Sequence, residues 1–288
     1  FHMTMGLKRM PEENWLLLDN RYLPEQTLRR VLLTNNRDGV YQQLPGPHIH
    51  AACVETLECV VAFLTKRYPH LFFLVPEKEN GEGQYIHNAL THLSFKINEP
   101  FNEPPLIIAA QLAMEDINIL LPGTGSQDPD QYYLVASFTM APAGWYLQQR
   151  IGWPLYKLHL PVLLWGAKLR RPVESFFRRL KVSEPVERYN WFIQTNDVLF
   201  QQEPFAVERP QALGVGNVRV RHERQTLRRL PRTHAVVFMV RTYLTALQEL
   251  EGEVGSVREL LGAVEALPQG VARYKARQVW GEVVVGWC

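Results

Sequence analysis

The side chains with the greatest capacity to bind an anion lie in the ten residues HERQTLRRLP, positions 222 to 231. Arg224, Arg228 and Arg229 each carry a planar guanidinium group, which suits a carboxylate or a phosphate in bidentate geometry. An apolar run that predicts a buried strand follows at once. Two arrangements are equally compatible with this stretch. One is a site for a carboxylate-bearing or phosphate-bearing ligand, and the other is an internal salt-bridge network with Glu223, Glu187 or Asp116.

His159 is the second position of interest, because its neighbours restrict it. It lies in GWPLYKLHLPV, positions 152 to 162, where one glycine and two prolines predict an ordered irregular segment rather than a helix. An imidazole held by rigid backbone between two leucines offers a neutral nitrogen in a fixed direction, which an axial ligand of a haem iron requires. The other interpretation, which the residues alone favour, is a core histidine bonded to a backbone carbonyl.

Common catalytic signatures are absent from the sequence. There is no GxSxG, GxxxxGK[ST] or HExxH pattern, and Gly214-Val215-Gly216 is a lone GxG in an expected hairpin. Hydrolase, P-loop, zinc-protease and nicotinamide sites are therefore not indicated. The three cysteines have no CxxC spacing, which argues against a structural zinc site. A formal net charge of +2 does not indicate a nucleic-acid-binding protein.

The bulk composition predicts a folded protein of one large domain, or one domain with an appendage, since 46% of the 288 residues are hydrophobic. No continuous apolar run reaches the ~18 residues of a transmembrane helix, so we expect no membrane span. The few cysteines fit a reducing compartment, so we expect a cytoplasmic or otherwise intracellular protein. The opening Phe1-His2-Met3 is typical of an expression remnant, so a native anchor upstream is compatible with this sequence.

The first third of the chain predicts helices. Pro24 can open a helix that runs to about Asn35, because its missing N–H is harmless in a first turn. Residues 51 to 67 place apolar side chains at the period of an amphipathic helix. Two more helices are expected later, one over about 166 to 180 and one that begins with a capping box at Ser256.

Strands dominate the middle of the chain. The predicted strands are rich in β-branched and aromatic residues and are bounded by turn formers; they are 132 to 140, 187 to 194, 217 to 224 and 235 to 243. Strands flanked by helices without a repeating βαβ order predict an α+β fold on an antiparallel sheet. We expect a mainly helical N-terminal segment over 1–105, a core over 106–250 and a helical extension over 251–288. These segments are also compatible with a single domain.

Four blocks of the C-terminal half, in this order and spacing, resemble the haem-dependent oxidative N-demethylase-like family. They are GWYLQQRIGWPLYKLHLPV, ESFFRRL, VERYNWFIQ and ERQTLRRLPRTHAVVFMVRTYL. MGLKRM at 5 to 10, ENWLLLD at 13 to 19 and Met114-Glu115-Asp116-Ile117 also look like that family. The resemblance extends over roughly residues 5 to 250. The sequence departs from the family pattern at Arg150, where a lysine is expected.

This resemblance implies a PAS-like antiparallel sheet, enlarged by helices at both ends, that binds b-type haem. It implies a monooxygenase in which molecular oxygen is activated at the iron and electrons come from a separate reductase. A secondary amine then loses a methyl group as formaldehyde, as in the dimethylamine-oxidising member of the family. By motif match it implies His159 as the metal ligand, with His222 as the competing position. Arg224, Arg228 and Arg229 are the implied contacts of the haem propionates.

A cationic amine substrate would require an aromatic or acidic lining. The candidates for this catalytic lining are Glu115, Glu187, Tyr189 and Trp191. Glu115 is also compatible with pairing to an arginine, and Trp191 with a core position on its strand. Arg241 lies in an otherwise apolar strand, so it requires an exposed face or a buried anion such as a propionate, Glu187 or Asp116. A second hypothesis is a haem-binding PAS-like sensor or carrier without turnover.

Overall fold

The N-terminal part of the chain forms helices and a small sheet. A computed structural model describes residues 5–76, 83–123, 131–160, 162, 165–205 and 212–288. The first elements are β1 (Lys8–Arg9), α1 (Tyr22–Asn35), α2 (Arg37–Val40), β2 (Tyr41–Gln43) and α3 (Pro47–Arg67). The small antiparallel sheet follows, with strands β3 (Phe72–Pro76), β4 (Gln84–Asn88) and β5 (Leu93–Lys96).

The remaining elements alternate between the large sheet and the helices beside it. They begin with α4 (Pro105–Leu112), β6 (Asp116–Pro122), β7 (Tyr132–Phe138), α5 (Leu147–Arg150) and α6 (Leu155–Leu158). A π-helical turn (Trp165–Leu169) leads into α7 (Arg170–Arg179), and then come β8 (Val186–Gln194), β9 (Arg219–Arg229) and β10 (Val236–Ala246). The C-terminal helices are α8 (Val254–Glu265), α9 (Gln269–Tyr274) and α10 (Arg277–Trp287).

The large sheet has seven strands in the order β1-β8-β9-β10-β6-β7-β2, and every neighbouring pair is antiparallel. The predicted α+β fold on an antiparallel sheet is therefore confirmed. The ladder between β9 and β10 extends from the pair Arg219–Ala246 to the pair Arg229–Val236. Side chains of paired residues share a face and alternate along each strand, so the register assigns each residue of the site to one side of the sheet.

The two faces of this sheet are covered by different parts of the chain. Face 1 carries Ile117, Ile119, Val237 and Met239, which pack in one buried core with α3, α4 and residues as early as Met10. Face 2 carries a second buried cluster, formed by Leu120, Leu227, Val236, Leu155, Trp165 and Phe177. A third cluster joins α8, α9 and α10 to the ends of β8 and β9, and it includes Ile193, Val218 and Trp280. On face 2, α6 and α7 pack against the sheet through the second cluster.

Helix α3 confirms the amphipathic pattern of residues 51 to 67. In the described part of the chain it is the one helix that is long and apolar enough to cross a bilayer. Its Ala52, Leu57, Val60 and Leu64 are almost fully buried within the core on face 1. A core helix of a folded domain has the same length and composition, so α3 is weak support for a membrane span.

Four details of the predicted elements were wrong. Strand β9 continues to Arg229, because β10 pairs with its whole length, so most of HERQTLRRLP is strand rather than the approach to one. His159 follows a one-turn helix, α6, where an irregular segment was expected. Gly214 precedes a 3-10 turn, not a hairpin. Helix α8 begins before Ser256, whose hydroxyl donates to the Glu253 carboxylate instead of capping the helix.

Candidate functional site

His159 terminates α6, and its imidazole has a fixed orientation. The Nδ1 atom lies 2.8 Å from the carbonyl oxygen of Leu155, which also accepts the backbone N–H of His159. A carbonyl oxygen can only accept, so Nδ1 carries the proton and Nε2 has a free lone pair. The ring stacks on Trp165 with centroids 4.2 Å apart and planes 11° apart. Among the described residues, none makes a hydrogen bond to Nε2.

The surroundings of His159 keep its imidazole neutral. Burial lowers the pKa of His159 below its usual value, and the positive charges of Arg188 and Arg150 lower it further. The hydrogen bond to the Leu155 carbonyl acts in the opposite direction. A neutral ring with one nitrogen donating to a carbonyl and the other free is the usual state of a histidine that ligates a metal.

The Arg188 side chain is partly removed from water, and among the described residues it has no carboxylate partner. It lies on face 2, since its register partner Gln225 shares that face with Leu227. Its Nε atom is buried and has no hydrogen-bond partner. Burial lowers the pKa of Arg188, and the negative charge of Glu223 opposes that effect. Arg188 is half-buried overall, and a guanidinium that has lost part of its hydration favours the binding of an anion.

Arg150 and Lys275 add two further cations near the same face. Burial lowers the pKa of Arg150, whose guanidinium lies 4.7 Å from the centre of the Trp145 ring. Burial also lowers the pKa of Lys275 to about 8, and the charge of Arg188 contributes to that lowering. The Lys275 ammonium donates to the backbone carbonyl of Trp191, at the free edge of β8.

Glu223 is the carboxylate whose charge acts on Arg188 and Lys275, and both of its oxygens are already engaged. It accepts from Arg221 Nε at 3.1 Å and from Gln225 Nε2 at 2.9 Å. No salt bridge joins Arg150, Arg188 or Lys275 to a carboxylate in the part of the chain that the structure describes. These three cations are half-buried and lack a carboxylate partner among the described residues, and two of them, Arg188 and Arg150, are close enough to His159 to lower its pKa.

The four arginines expected from sequence to bind the cofactor already have partners within the protein. Arg224 pairs with Glu187 at 2.8 Å and donates to two N-terminal carbonyls. Arg228 pairs with Glu12 at 3.0 Å and lies over the Trp15 ring. Arg241 pairs with Glu25 at 2.8 Å and Asp19 at 2.7 Å. Arg229 donates to the backbone carbonyls of Leu180, Phe177 and His234 and to the hydroxyl of Tyr132. An internal network was the alternative weighed, and of the carboxylates expected in it, Glu187 is the one that is used, by Arg224.

The residues expected to line the substrate site lie mainly on face 1. Glu115 is 1% exposed, accepts the Leu17 N–H at 3.2 Å, and has a pKa raised mainly by burial. Glu187 pairs with Arg224 and with Lys8 at 3.3 Å. Tyr189 is 44% exposed and stacks on His222.

The structure separates His222 from His159. His222 lies two residues before Arg224 on β9 and therefore on the same face, face 1, where its ring stacks on Tyr189 and makes a tilted contact with Tyr243. Trp191 pairs with His222 in register and contacts Lys275 where β8 has no further neighbour. The two histidines are thus on opposite faces and belong to different sites.

Neither Arg188 nor Lys275 was identified from the sequence as a candidate site residue, and Arg150 was identified only as a departure from the family pattern. Arg188 lies inside VERYNWFIQ, where strand alternation does assign it to the face opposite Glu187 and Tyr189. Nothing in the sequence shows which of those faces lies next to His159. Lys275 lies beyond the blocks that carried the resemblance.

A histidine with a fixed ring and a free Nε2, near half-buried cations without a carboxylate partner, has the chemistry to hold an anionic cofactor that contains a metal. Over residues 6–285 the chain matches the family described as haem-dependent oxidative N-demethylase, alpha subunit-like. The chain belongs to this family, and the resemblance inferred from the sequence is confirmed. Membership fits haem dependence and an oxidoreductase. Groups of three or more side chains that could hold a metal ion are absent from the described residues, whereas a haem iron requires only an axial ligand.

Proposed function

We propose that the protein binds haem b through His159 and catalyses the oxidative N-demethylation of an amine. The observation that carries this proposal is the free Nε2 of a neutral His159 beside cations that have no carboxylate. Haem matches both features, because its iron accepts a neutral imidazole and its two propionates are carboxylates. The sequence has no CxxCH pattern for covalent attachment, which favours b-type haem.

The residues of face 2 would hold the group in a defined way. His159 Nε2 would ligate the iron, with the Leu155 carbonyl maintaining the tautomer and direction of the ring. Arg188 and Arg150 would bind the propionates, a role that suits planar guanidinium groups. Trp165 supports the imidazole by stacking and, with Leu155, excludes water from that side.

When bound, haem would supply the activation of molecular oxygen, so that oxygen, two electrons, two protons and an N-methyl amine give the demethylated amine, formaldehyde and water. A separate reductase protein is the proposed source of the electrons. We place this chemistry inside the cell, which suits the free thiols of Cys53, Cys59 and Cys288. Of the residues first considered for catalysis, Trp191 is the one near a face 2 cation, through Lys275.

Reconstitution with hemin tests the proposal. We expect a Soret band from the wild-type protein. The His159→Ala variant should lose this band or show it at a shifted wavelength, and free imidazole should restore it. His222→Ala is the matched control, since it removes a histidine from face 1, and it should leave the spectrum unchanged. An unchanged spectrum in His159→Ala would reject this ligand assignment.

Turnover is tested separately from binding. With reductant, oxygen and an N-methyl amine, the reconstituted protein should consume oxygen and release formaldehyde. Haem binding without any oxygen consumption across a panel of amines would favour the sensor or carrier function instead.

A further inference from the structure

We infer that the outer face of α7 is the surface on which the electron donor docks, and that this donor is a protein with an acidic surface. This role rests on the proposed function, in which a separate protein delivers two electrons. The sequence has three cysteines, one fewer than the four thiolates that hold a typical iron–sulfur cluster, which agrees with an external donor. The location and the charge of the docking surface follow from how α7 is built.

Positive charge is concentrated in the segment that forms the π-helical turn and α7. Residues 165–181, WGAKLRRPVESFFRRLK, carry six lysines and arginines and one carboxylate, that of Glu174. The whole chain has 31 lysines and arginines and 29 aspartates and glutamates, so the rest of it is slightly acidic. A protein of small net charge therefore has one strongly cationic region, which attracts an acidic partner from a distance.

Helix α7 directs these charges toward solvent. Val173 and Phe177 are buried against the sheet on face 2. The opposite side of the helix and of the turn before it is the cationic face, which consists of the exposed residues Lys168, Arg171, Arg178 and Arg179. Glu174 accepts from Arg170 at 2.7 Å, so the one carboxylate of the segment is engaged beside the cationic face and not on it.

The cationic face adjoins the proposed iron ligand. Trp165 begins the π-helical turn, is 5% exposed, and stacks on His159 with ring centroids 4.2 Å apart. Lys168 lies in the same turn, three residues further on, and is exposed. An electron that enters the protein here has a short path to His159 through two packed rings, and electron transfer requires a short path.

The surface at this point also has a shape that suits a protein contact. A depression of about 380 Å³ lies where the π-helical turn meets α7, and it is lined by Gly166, Ala167, Lys168, Arg171 and Pro172. The two small residues next to Trp165 allow a partner to approach the stacked rings closely. Electron-transfer complexes bury small interfaces, and their encounter rates depend on complementary charge. One cationic helix face beside a shallow depression is sufficient for such a contact.

The step at this surface is the transfer of one electron. The donor is oxidised and ferric haem iron is reduced to the ferrous state, and no bond forms or breaks. Two such encounters deliver the two electrons of the proposed reaction. The cationic face contributes by binding the donor close to the stacked rings of Trp165 and His159.

Stopped-flow reduction of the hemin-reconstituted protein tests this surface without any amine. The donor is reduced plant-type [2Fe–2S] ferredoxin, an acidic protein, and the comparison is photoreduced deazariboflavin, a small reductant that needs no docking. At low salt, ferredoxin should reduce the double variant Lys168→Glu/Arg171→Glu about tenfold more slowly than the wild type, because like charges then meet. The difference should largely disappear near ~1 M salt, where charges are screened within ~3 Å. Deazariboflavin should reduce both proteins at the same rate.

The double variant Arg30→Glu/Lys66→Glu is the matched control. It makes the same change of net charge at exposed positions of α1 and α3, which pack in the core on face 1, and it should retain the wild-type rate. Calorimetric binding of ferredoxin to the apoprotein at low salt is a readout that does not depend on haem, and only Lys168→Glu/Arg171→Glu should weaken it. Equal losses in the two double variants would show an effect of net charge alone and would overturn the docking surface. Ferredoxin that neither binds the apoprotein nor reduces the haem would overturn it as well.

The remaining outcomes separate the docking surface from the proposed function. A Soret band that depends on His159, together with a ferredoxin rate that Lys168→Glu/Arg171→Glu does not change, rejects the docking surface and leaves the haem site intact. Phosphatidylserine vesicles or duplex DNA that bind the wild type more tightly than ferredoxin does, and that the same variant releases, would assign the cationic face to another partner and reject the donor. Absence of any Soret band rejects the haem site itself, and electron entry at this surface with it.

Discussion

The Nδ1 atom of His159 donates to the carbonyl oxygen of Leu155, one helical turn earlier, at 2.8 Å. This contact decides which nitrogen of the ring is free, because a donor bound to a carbonyl leaves Nε2 as the acceptor. Stacking on Trp165 then limits the rotation of the ring. A histidine held in this way is prepared for a ligand on its free side before any ligand binds.

Arg188 should be important for haem affinity and unimportant for folding. Replacing it with Met removes a desolvated cation that has no carboxylate partner, so the unfolding free energy of the apoprotein should stay the same or increase slightly. Hemin affinity should fall by about tenfold to a hundredfold, as expected for a charge-assisted contact of ~1.5–3 kcal/mol. Hemin titration and chemical denaturation measure the two quantities.

Arg224→Met is the control for that experiment, since this arginine pairs with Glu187 on face 1. It should show the reverse pattern, with lower stability and unchanged hemin affinity. If Arg224→Met weakened hemin binding and Arg188→Met did not, the propionates would belong to face 1.

Arg241 should be a stabilising residue with no role in haem binding. It joins β10 to the N-terminal segment through Glu25 and Asp19, and it is 1% exposed. Arg241→Met leaves the buried Glu25 without its partner, which should lower the unfolding free energy by about 3–5 kcal/mol. The exposed pair Arg37–Glu103 is a suitable comparison, because Arg37→Met should cost below ~1 kcal/mol. Equal losses in the two variants would contradict the buried network.

Trp165 should stabilise both the fold and the orientation of His159. Trp165→Leu removes the stacked ring and opens a space in the cluster on face 2, which should lower the unfolding free energy by about 2–4 kcal/mol. Trp165→Phe retains an aromatic ring and should lose less. Thermal unfolding measures the difference, and the Soret band of each reconstituted variant reports the ring position. Identical behaviour of Leu and Phe would show that stacking contributes nothing.

Lys275 should make the stability of the apoprotein depend on alkaline pH. Its pKa falls from the usual 10.5 to about 8 on folding, because burial disfavours the ammonium. Between those two values the unfolded chain binds the proton more strongly, so this residue opposes folding below pH 8 and the opposition is relieved as pH rises toward 10.5.

The comparison of wild type with Lys275→Met isolates that effect. The variant should be the more stable by on the order of 1 kcal/mol at pH 7, after allowance for solvent screening, and the difference should decrease by pH 10. Urea unfolding at several pH values provides the measurement. A difference that does not change with pH would show that Lys275 titrates normally.

Local patterns in the sequence determined most of the elements. Alternation of apolar residues predicted the strands that became β7, β8, β9 and β10, and the helical period predicted α3. The antiparallel α+β class followed from the order of those elements. The family blocks likewise indicated haem before any contact was known, and the match to them singled out His159 as the expected ligand. All of this information is carried by residues close together along the chain.

The partners of the charged residues were decided by tertiary structure alone. Arg241 meets Glu25 across 216 positions and Arg224 meets the Trp15 carbonyl across 209 positions, so no local pattern could identify them as internal contacts. Arg188 could not be identified for the same reason, because its proposed role depends on its position near His159. In HERQTLRRLP the residue types indicated that anions would be bound, and tertiary packing decided that Arg224 pairs with Glu187 of the neighbouring strand and Arg228 with Glu12 of the N-terminal segment. Charge depends on a single residue, whereas the neutralisation of that charge depends on which distant segments the fold brings together.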